Sequence, residues 1–346
     1  MKIPIANVYY LLCYAWGHAE ERESVSASEA GAFSHIHDLF GQVLAQGVFR
    51  LVHQGLDRGY REVREDLPGV RGKIQVSDMA TRALKARGRA ACLYEELSHD
   101  VLHNRILRST LGRLLRISDL DPNVRGKVRM AYQRMEGVST PRLDRATFRK
   151  VQLDSNRRVY RFLVSLCALI HENLLVDATD GTTRFRDFRE DDARMWKLFE
   201  DFVTEFYRRE SRQYRVKGQS RIDWHEPWAP AEEDLVHLPL MWADVLLESE
   251  ERRIILDAKF YGKSLDGPFG AKKLRSGNLY QILAYLRNRQ ATRPDGPRHE
   301  GVLLYPVVEE PLAVEVRLEG FRVRARGVDL SRDWKQIHQD MLEIVA

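Results

Sequence analysis

The sequence IILDAKFYG, residues 254–262, closes an apolar run with an aspartate and a lysine two positions apart. The run of Ile and Leu is typical of a buried strand. Side chains at positions i and i+2 of a strand point to the same face, so Asp257 and Lys259 are expected side by side at one end of it. Such a pair is typical of a salt bridge or of a metal site.

A second apolar strand is predicted directly before this one, in LPLMWADVLLES, with the charged turn ESEERR between them. A hairpin of the two would place Asp244 beside Asp257 and Lys259. Two carboxylates, with the Ala258 carbonyl as a further oxygen ligand, suit Mg²⁺, for which Mn²⁺ could substitute. The ion would polarise a phosphoryl oxygen and lower the pKa of bound water, and the lysine would stabilise the developing charge. The pattern therefore predicts phosphodiester hydrolysis.

Two flanking helices carry polar side chains that could join this site. Gln281 and Tyr285 in NLYQILAYL are spaced i, i+4 and share one helical face, from which they could reach a bound water or a phosphate. Their alternative role is structural, at the edge of the core. Glu200 interrupts the apolar LFEDFV, and it is either a third metal-binding carboxylate or a solvated residue at the edge of the apolar face.

The charge balance favours a polyanionic partner. The formal net charge is +5 and the sequence pI is about 9.0. Cations cluster in two segments, one following the Glu200 helix and one in the loop after IILDAKF, and either segment could contact phosphate or form a solvated face. The predicted DNA-binding residues are Arg212, Arg215, Lys217, Lys272, Lys273 and Arg275.

A chain of 346 residues is long for a single core and predicts two domains. The fold class is expected to be α+β. The first predicted domain, 1–180, is mostly helical with a small β element at 61–76, and the second, 181–346, has a mixed sheet flanked by helices. Helices in the first domain are predicted at 7–16, 35–56, 101–117, 123–135 and 157–175 from their apolar periodicity.

Cysteine usage and the N-terminus indicate a cytoplasmic protein. Cys13, Cys92 and Cys167 lie far apart among apolar residues without a CxxC pair, so buried free thiols are expected rather than a zinc ribbon or an iron–sulfur cluster. The apolar stretch near the N-terminus, about ten residues, is too short to span a membrane. No membrane association is expected.

These residues carry a family resemblance. Asp244, then Asp257-Ala258-Lys259, then Gln281-x-x-x-Tyr285 resembles the PD-(D/E)xK nuclease core with the QxxxY helix of its RecB-like branch, with Ala243 at the variable Pro position. Five segments in order extend the likeness over nearly the whole chain. IPIANVYYLLCYAWG, LHNRIL, WKLFEDFVTEFYRRE, DAKFY and NLYQILAYL are together similar to the McrC subunits of McrBC modification-dependent restriction systems.

The resemblance implies a restriction-endonuclease-like α/β/α domain in the second half and a Mg²⁺-dependent DNA endonuclease activity. It further implies a McrB-like AAA+ GTPase hexamer as partner, which binds the GTP, recognises double-stranded DNA containing methylcytosine, and is stimulated by the helical first domain. The chain has no GxxxxGK[ST] phosphate loop, which agrees with nucleotide binding by another chain. Two alternatives remain, a self-sufficient RecB-like nuclease and a GTPase-stimulating subunit with a vestigial site.

Overall fold

The computed structural model describes residues 3–23, 33–154, 156–176, 183–229, 231–260, 273–308 and 311–346. The helices α1 to α10 in these ranges are Ile5–Ala15, Ile36–Gln54, Val76–Thr81, Leu102–Leu114, Pro122–Arg134, Arg145–Arg149, Arg158–Asn173, Asp192–Glu210, Ser276–Thr292 and Trp334–Val345. The strands β1 to β11 are Gly59–Leu67, Lys73–Ile74, Ala90–Ser98, Leu174–Val176, Thr183–Phe185, Arg215–Ile222, Met241–Glu248, Arg253–Ala258, His299–Val307, Ala313–Leu318 and Phe321–Asp329.

The chain forms two compact units, and their boundaries differ from the predicted 1–180 and 181–346. One unit is Ser34–Arg186, and the other combines Met1–Phe33 with Asp187–Ala346. Helix α1 belongs to the unit of Met1–Phe33 and Asp187–Ala346, and its side chains contact residues of that unit. Asn7 donates from Nδ2 to the Leu330 carbonyl at 2.8 Å, and Tyr14 donates to Glu210 Oε1 at 2.6 Å. These partners lie hundreds of residues away along the chain, so no local pattern indicates the assignment.

All five helices predicted from periodicity are present, and unit Ser34–Arg186 is a helical assembly that contains the four after α1. Helix α2 packs along α5, where Gly41 leaves room for Val124. The start of α5 follows from its sequence, because Pro122 occupies the first turn and Asp121 accepts hydrogen bonds from the Asn123 and Val124 amides at 2.9 and 3.0 Å. The small predicted β element is a three-stranded antiparallel sheet of order β1-β3-β2.

The other unit is built on a six-stranded mixed sheet of order β10-β11-β9-β8-β7-β6. Strand β7 is antiparallel to both β6 and β8, β9 is parallel to both β8 and β11, and β10 is antiparallel to β11. Helix α8 packs against β6 to β8, and α9 packs against β8 and β9. The predicted α+β fold class with a mixed, helix-flanked sheet is confirmed.

A glycine sets the distance between α9 and the sheet. A Cβ atom added at Gly301 in β9 would lie 2.8 Å from Ile282 Cγ1 and 3.0 Å from Leu286 Cδ1. Both neighbours belong to α9 and are fully buried in the core. Helix α9 can therefore approach the sheet closely only because position 301 has no side chain.

We expect Gly301→Ala to lower the free energy of unfolding of this unit by about 1–3 kcal/mol, because the added methyl group overpacks a buried contact. All six tryptophans of the chain lie in Met1–Phe33 or Asp187–Ala346, so tryptophan fluorescence during urea unfolding reports on this unit alone. Gly277→Ala is the control, since a Cβ there meets no atom within 4 Å. Equal midpoints for both variants would contradict the role of Gly301.

The structure bears on the predictions about membrane-spanning segments and about the cysteines. No helix in the described ranges is both long and apolar enough to cross a lipid bilayer. The three cysteines are buried and unpaired, as predicted, and burial raises the pKa of the Cys167 thiol to about 12.

Candidate active site

The predicted hairpin of β7 and β8 is present and brings the two aspartates together. The two strands pair antiparallel with Val245 opposite Leu256, so Asp244 and Asp257 follow at the next register position. The Ala258 amide donates a hydrogen bond to Asp244 Oδ2 at 2.8 Å. Asp257 is 2% exposed, although it lies at the end of its strand. Buried Asp257 and half-buried Asp244 therefore form a carboxylate pair where β8 ends and β7 begins.

Lys259 connects this pair to helix α9. Its Nζ lies 2.5 Å from Asp257 Oδ2 and donates to Gln281 Oε1 at 2.8 Å. Gln281 Nε2 in turn donates to the Tyr285 hydroxyl at 2.6 Å. The backbone of Lys259 is held as well, because its amide donates to the Leu304 carbonyl at 2.8 Å. Strand β8 and helix α9 thus fix the ammonium group from two sides.

The carboxyl groups of this site have raised pKa values. Burial, followed by the negative charges of Asp257 and Glu200, raises the pKa of Asp244 to about 7, and the hydrogen bond from the Ala258 amide opposes this shift. Burial also raises the pKa of Asp257 even though the Lys259 ammonium opposes it. A site in which neighbouring carboxylates resist ionisation is one that a bound cation would stabilise.

Glu200 lies at the edge of the same site. This residue of α8 is 5% exposed, and its pKa is raised first by burial and also by the charges of Asp201 and Asp257. Gln219 Nε2 donates to Glu200 Oε1, and Lys197 Nζ lies 3.7 Å from the same oxygen. Glu200 is therefore not a solvated residue of the helix surface.

Gln219 and Lys197 were missed by the sequence analysis. Gln219 of β6 lies opposite Asp244 of β7, but these two residues are not paired in the sheet. The φ angle of Gln219 is 44°, in the left-handed region. Non-glycine residues seldom adopt this conformation, and it tends to be retained at functional sites. No pattern around Gln219 indicates its role, whereas the i, i+3 spacing of Lys197 and Glu200 on α8 was a readable signal.

The predicted DNA-binding residues fall on two elements. Arg212 and Arg215 are exposed and Lys217 is half-buried, in the turn after α8 and on edge strand β6. Lys273 is exposed and Arg275 is half-buried, directly before the helix that carries Gln281. Lys272 lies outside the described residues.

The donor set fits a hard divalent cation. Asp244 and Asp257 supply carboxylate oxygens, and the charge on each is disfavoured without a counter-ion. Within the described residues, however, oxygens of Asp244, Asp257 and Glu200 do not all lie within 4.8 Å of one another. The arrangement is thus suited to two direct carboxylate ligands, the number that Mg²⁺ commonly takes from protein.

Comparisons with known proteins agree with this geometry. The chain is 32% identical to the type IV methyl-directed restriction enzyme EcoKMcrBC of Escherichia coli (strain K12) over 343 residues, which is 99% of this chain and 97% of that protein. Its fold is similar to that of a refined half-complex of Thermococcus gammatolerans McrB AAA+ hexamers with bound McrC. The TM-score is 0.62 at 17% identity, covering 99% of this chain and 75% of the other.

The family model for the McrBC 5-methylcytosine restriction system component matches residues 6–306. That range includes the paired aspartates, Lys259 and the helix with Gln281 and Tyr285. The resemblance inferred from the sequence is confirmed, and the chain belongs to the McrBC 5-methylcytosine restriction system component family.

Proposed function

We propose that this chain is the DNA-cutting subunit of a 5-methylcytosine-dependent restriction system, and that it hydrolyses phosphodiester bonds with Mg²⁺. The observation that carries the proposal is the intact set of Asp244, Asp257 and Lys259, with Gln281 hydrogen-bonded to the lysine. A subunit that had lost nuclease activity would not need this pair of carboxylates with raised pKa values, because such a pair destabilises the fold at neutral pH.

The residues of the chain have distinct roles in this proposal. Asp244 and Asp257 would hold the Mg²⁺ with the Ala258 carbonyl, and Glu200 would act at the edge of the site rather than as a third direct ligand. When bound, Mg²⁺ supplies Lewis-acid polarisation of the scissile phosphate. Lys259, held by Asp257 and Gln281, places a positive charge where negative charge develops on the phosphoryl oxygens.

The basic residues would bind the DNA backbone. Arg212, Arg215 and Lys217 lie on and next to β6, the strand that also carries Gln219. Lys273 and Arg275 precede the helix of Gln281. Phosphate contacts position a duplex without reading its sequence, so methylcytosine recognition is assigned to a partner.

The proposed partner is a McrB-like AAA+ GTPase hexamer, whose GTPase this chain would stimulate. The structural neighbour with a similar fold is bound to McrB AAA+ hexamers. The likeness covers 99% of this chain, including the helical unit Ser34–Arg186 that we propose as the docking unit. The absence of a phosphate loop in the sequence supports nucleotide binding by the partner alone.

The test is cleavage of methylated and unmethylated plasmid by the full chain with Mg²⁺, with and without the AAA+ partner and GTP. The proposal expects cutting only when methylation, partner and GTP are all present. Cutting by the chain alone would instead identify a self-sufficient nuclease. GTPase stimulation without cutting under any condition would identify a regulatory subunit with a vestigial site.

We expect Gln281→Leu to slow DNA cleavage by about 10–100-fold, the range found when a group that positions a catalytic residue is removed. The substitution deletes the oxygen that accepts from Lys259 Nζ. Tyr285→Phe is the matched comparison, because it keeps the buried ring and removes only the hydroxyl, which contacts Gln281 rather than Lys259. Single-turnover rates should rank wild type, then Tyr285→Phe, then Gln281→Leu, and the reverse order of the variants would contradict this role.

A further inference from the structure

A second cluster of metal-ligating side chains lies in unit Ser34–Arg186 and has no part in the nuclease chemistry. His35 and His37 flank the first residue of α2, and Asp119 lies shortly before α5. One ligand atom from each of the three lies within 4.8 Å of the others. Among the described residues, no other three histidine, cysteine or acidic side chains meet this criterion.

The buried member of the cluster has an unsatisfied nitrogen. His37 is 3% exposed, and its Nε2 has no hydrogen-bond partner. That atom lies 3.8 Å from Asp38 Oδ1 and 3.8 Å from Asp119 Oδ1. Both separations are too long for a hydrogen bond. A buried ring nitrogen without a partner costs free energy, so the arrangement calls for a further group between these atoms.

A simple histidine–carboxylate pair does not account for this spacing. In the same unit, the ion pair of His103 Nε2 and Asp57 Oδ2 has a separation of 2.8 Å, an ångström shorter than either contact of His37. His35 and His37 instead stack with their rings 5.0 Å apart and 5° from parallel. The imidazole of His35 makes no capping hydrogen bond, although the residue occupies the N-cap position of α2. Its ring nitrogens are therefore not used in capping the helix.

We propose that His35, His37 and Asp119 bind a divalent transition-metal ion, with Zn²⁺ as the best match. Two imidazoles and one carboxylate form a ligand set that Zn²⁺ takes, whereas Mg²⁺ prefers oxygen ligands. Zinc–nitrogen and zinc–oxygen bonds are about 2.0–2.2 Å long. One ion can therefore bridge His37 Nε2 and Asp119 Oδ1, which lie 3.8 Å apart. Three protein ligands leave a coordination position for water or another donor.

The position of the cluster indicates what the ion would do. Asp38 Oδ1 already accepts a hydrogen bond from the Asp121 amide at 2.8 Å, which joins the first turn of α2 to the segment before α5. The His37 ring also packs against Phe185 at 5.6 Å between centroids. A metal bound by His35, His37 and Asp119 would cross-link the same two segments and stabilise the helical unit.

The test uses the full chain stripped of metal and then dialysed against Zn²⁺ in excess Mg²⁺, which competes with zinc for the carboxylates Asp244 and Asp257. Retained zinc is measured by atomic emission, and thermal unfolding is followed with and without zinc. Wild type should retain one equivalent and unfold at a higher temperature with zinc. His35→Gln and Asp119→Asn, both at exposed positions, should bind zinc at least about tenfold more weakly and lose the thermal shift.

His53→Gln is the matched control, because it removes an exposed histidine at the far end of the same helix. It should retain zinc as wild type does. Equal retention by wild type, His35→Gln and Asp119→Asn would overturn the proposal, as would a wild type that retains no zinc. Neither measurement depends on DNA cleavage, so the result is independent of the proposed nuclease function.

Discussion

Asp257→Asn should reduce DNA cleavage by at least about 10³-fold, while the stimulation of the partner's GTPase is retained. Asn removes one of the two direct carboxylate ligands and the ion pair with Lys259 Nζ at 2.5 Å. Losses of this size are typical when preorganised electrostatic stabilisation of a transition state is removed. The fold should survive, because the substitution replaces a buried carboxylate of raised pKa with a neutral group of the same shape.

Lys259→Met should have a similar effect on cleavage for a different reason, since it keeps the aliphatic chain and removes only the ammonium. Plasmid cleavage and GTP hydrolysis would be measured on the same reconstituted samples. Asp295→Asn, a change at an exposed acid in the same unit, should leave both activities unchanged. If Asp257→Asn abolished cleavage and GTPase stimulation together, the site would have a structural role instead.

In metal-free protein, Asp244 should lower stability, relative to the Asp244→Asn variant, as the pH rises from about 4 to about 8. The pKa of Asp244 is about 7 in the folded chain, against the usual 3.8 of an exposed aspartate. At this carboxyl the folded state therefore binds more protons than the unfolded state in this window, and the contribution of Asp244 to the free energy of unfolding falls as the pH rises. With about 1.4 kcal/mol for each pKa unit, the loss is on the order of 4 kcal/mol.

Mg²⁺ should oppose this loss, because an ion that binds the ionised carboxylates stabilises the folded state by mass action. Asp244→Asn should remove this contribution to the pH dependence, so that the variant is more stable than metal-free wild type at pH 8, and it should abolish cleavage. Stability and activity then change in opposite directions. Urea unfolding followed by tryptophan fluorescence, in chelator and in Mg²⁺ between pH 4 and 8, measures both effects. A stability difference between Asp244→Asn and wild type that does not grow with pH in chelator would contradict the raised pKa.

The nuclease site could be predicted in large part because its main residues lie on adjacent elements. Asp244 and Asp257 belong to consecutive strands joined by a short turn, so a hairpin register was enough to bring them together. Lys259 follows from the alternation of side chains along the same strand. The i, i+4 spacing of Gln281 and Tyr285 placed both on one face of a helix, and the structure adds the hydrogen bond to Lys259 Nζ.

Other features depend on contacts between segments that are far apart in the sequence, and no local sequence pattern indicates them. Strand β6 has a basic sequence without clear apolar alternation, so its place at the sheet edge was not predicted. The contact of Gln219 with Glu200 joins that strand to α8 and depends on the left-handed backbone at position 219. Helix α1 was assigned to the wrong unit, because its partners come from the far end of the chain.

The sequence by itself determined the elements that short-range physics controls: the helices with periodic apolar faces, the β7–β8 hairpin, and the Asp, Lys and Gln set with the family to which it belongs. Only the tertiary structure decided which unit contains α1, how Glu200 is held, and that His35 and His37 meet Asp119. Periodicity records which face of an element is buried, but it does not record which distant element covers that face. The long-range contacts are therefore decided only when the units pack.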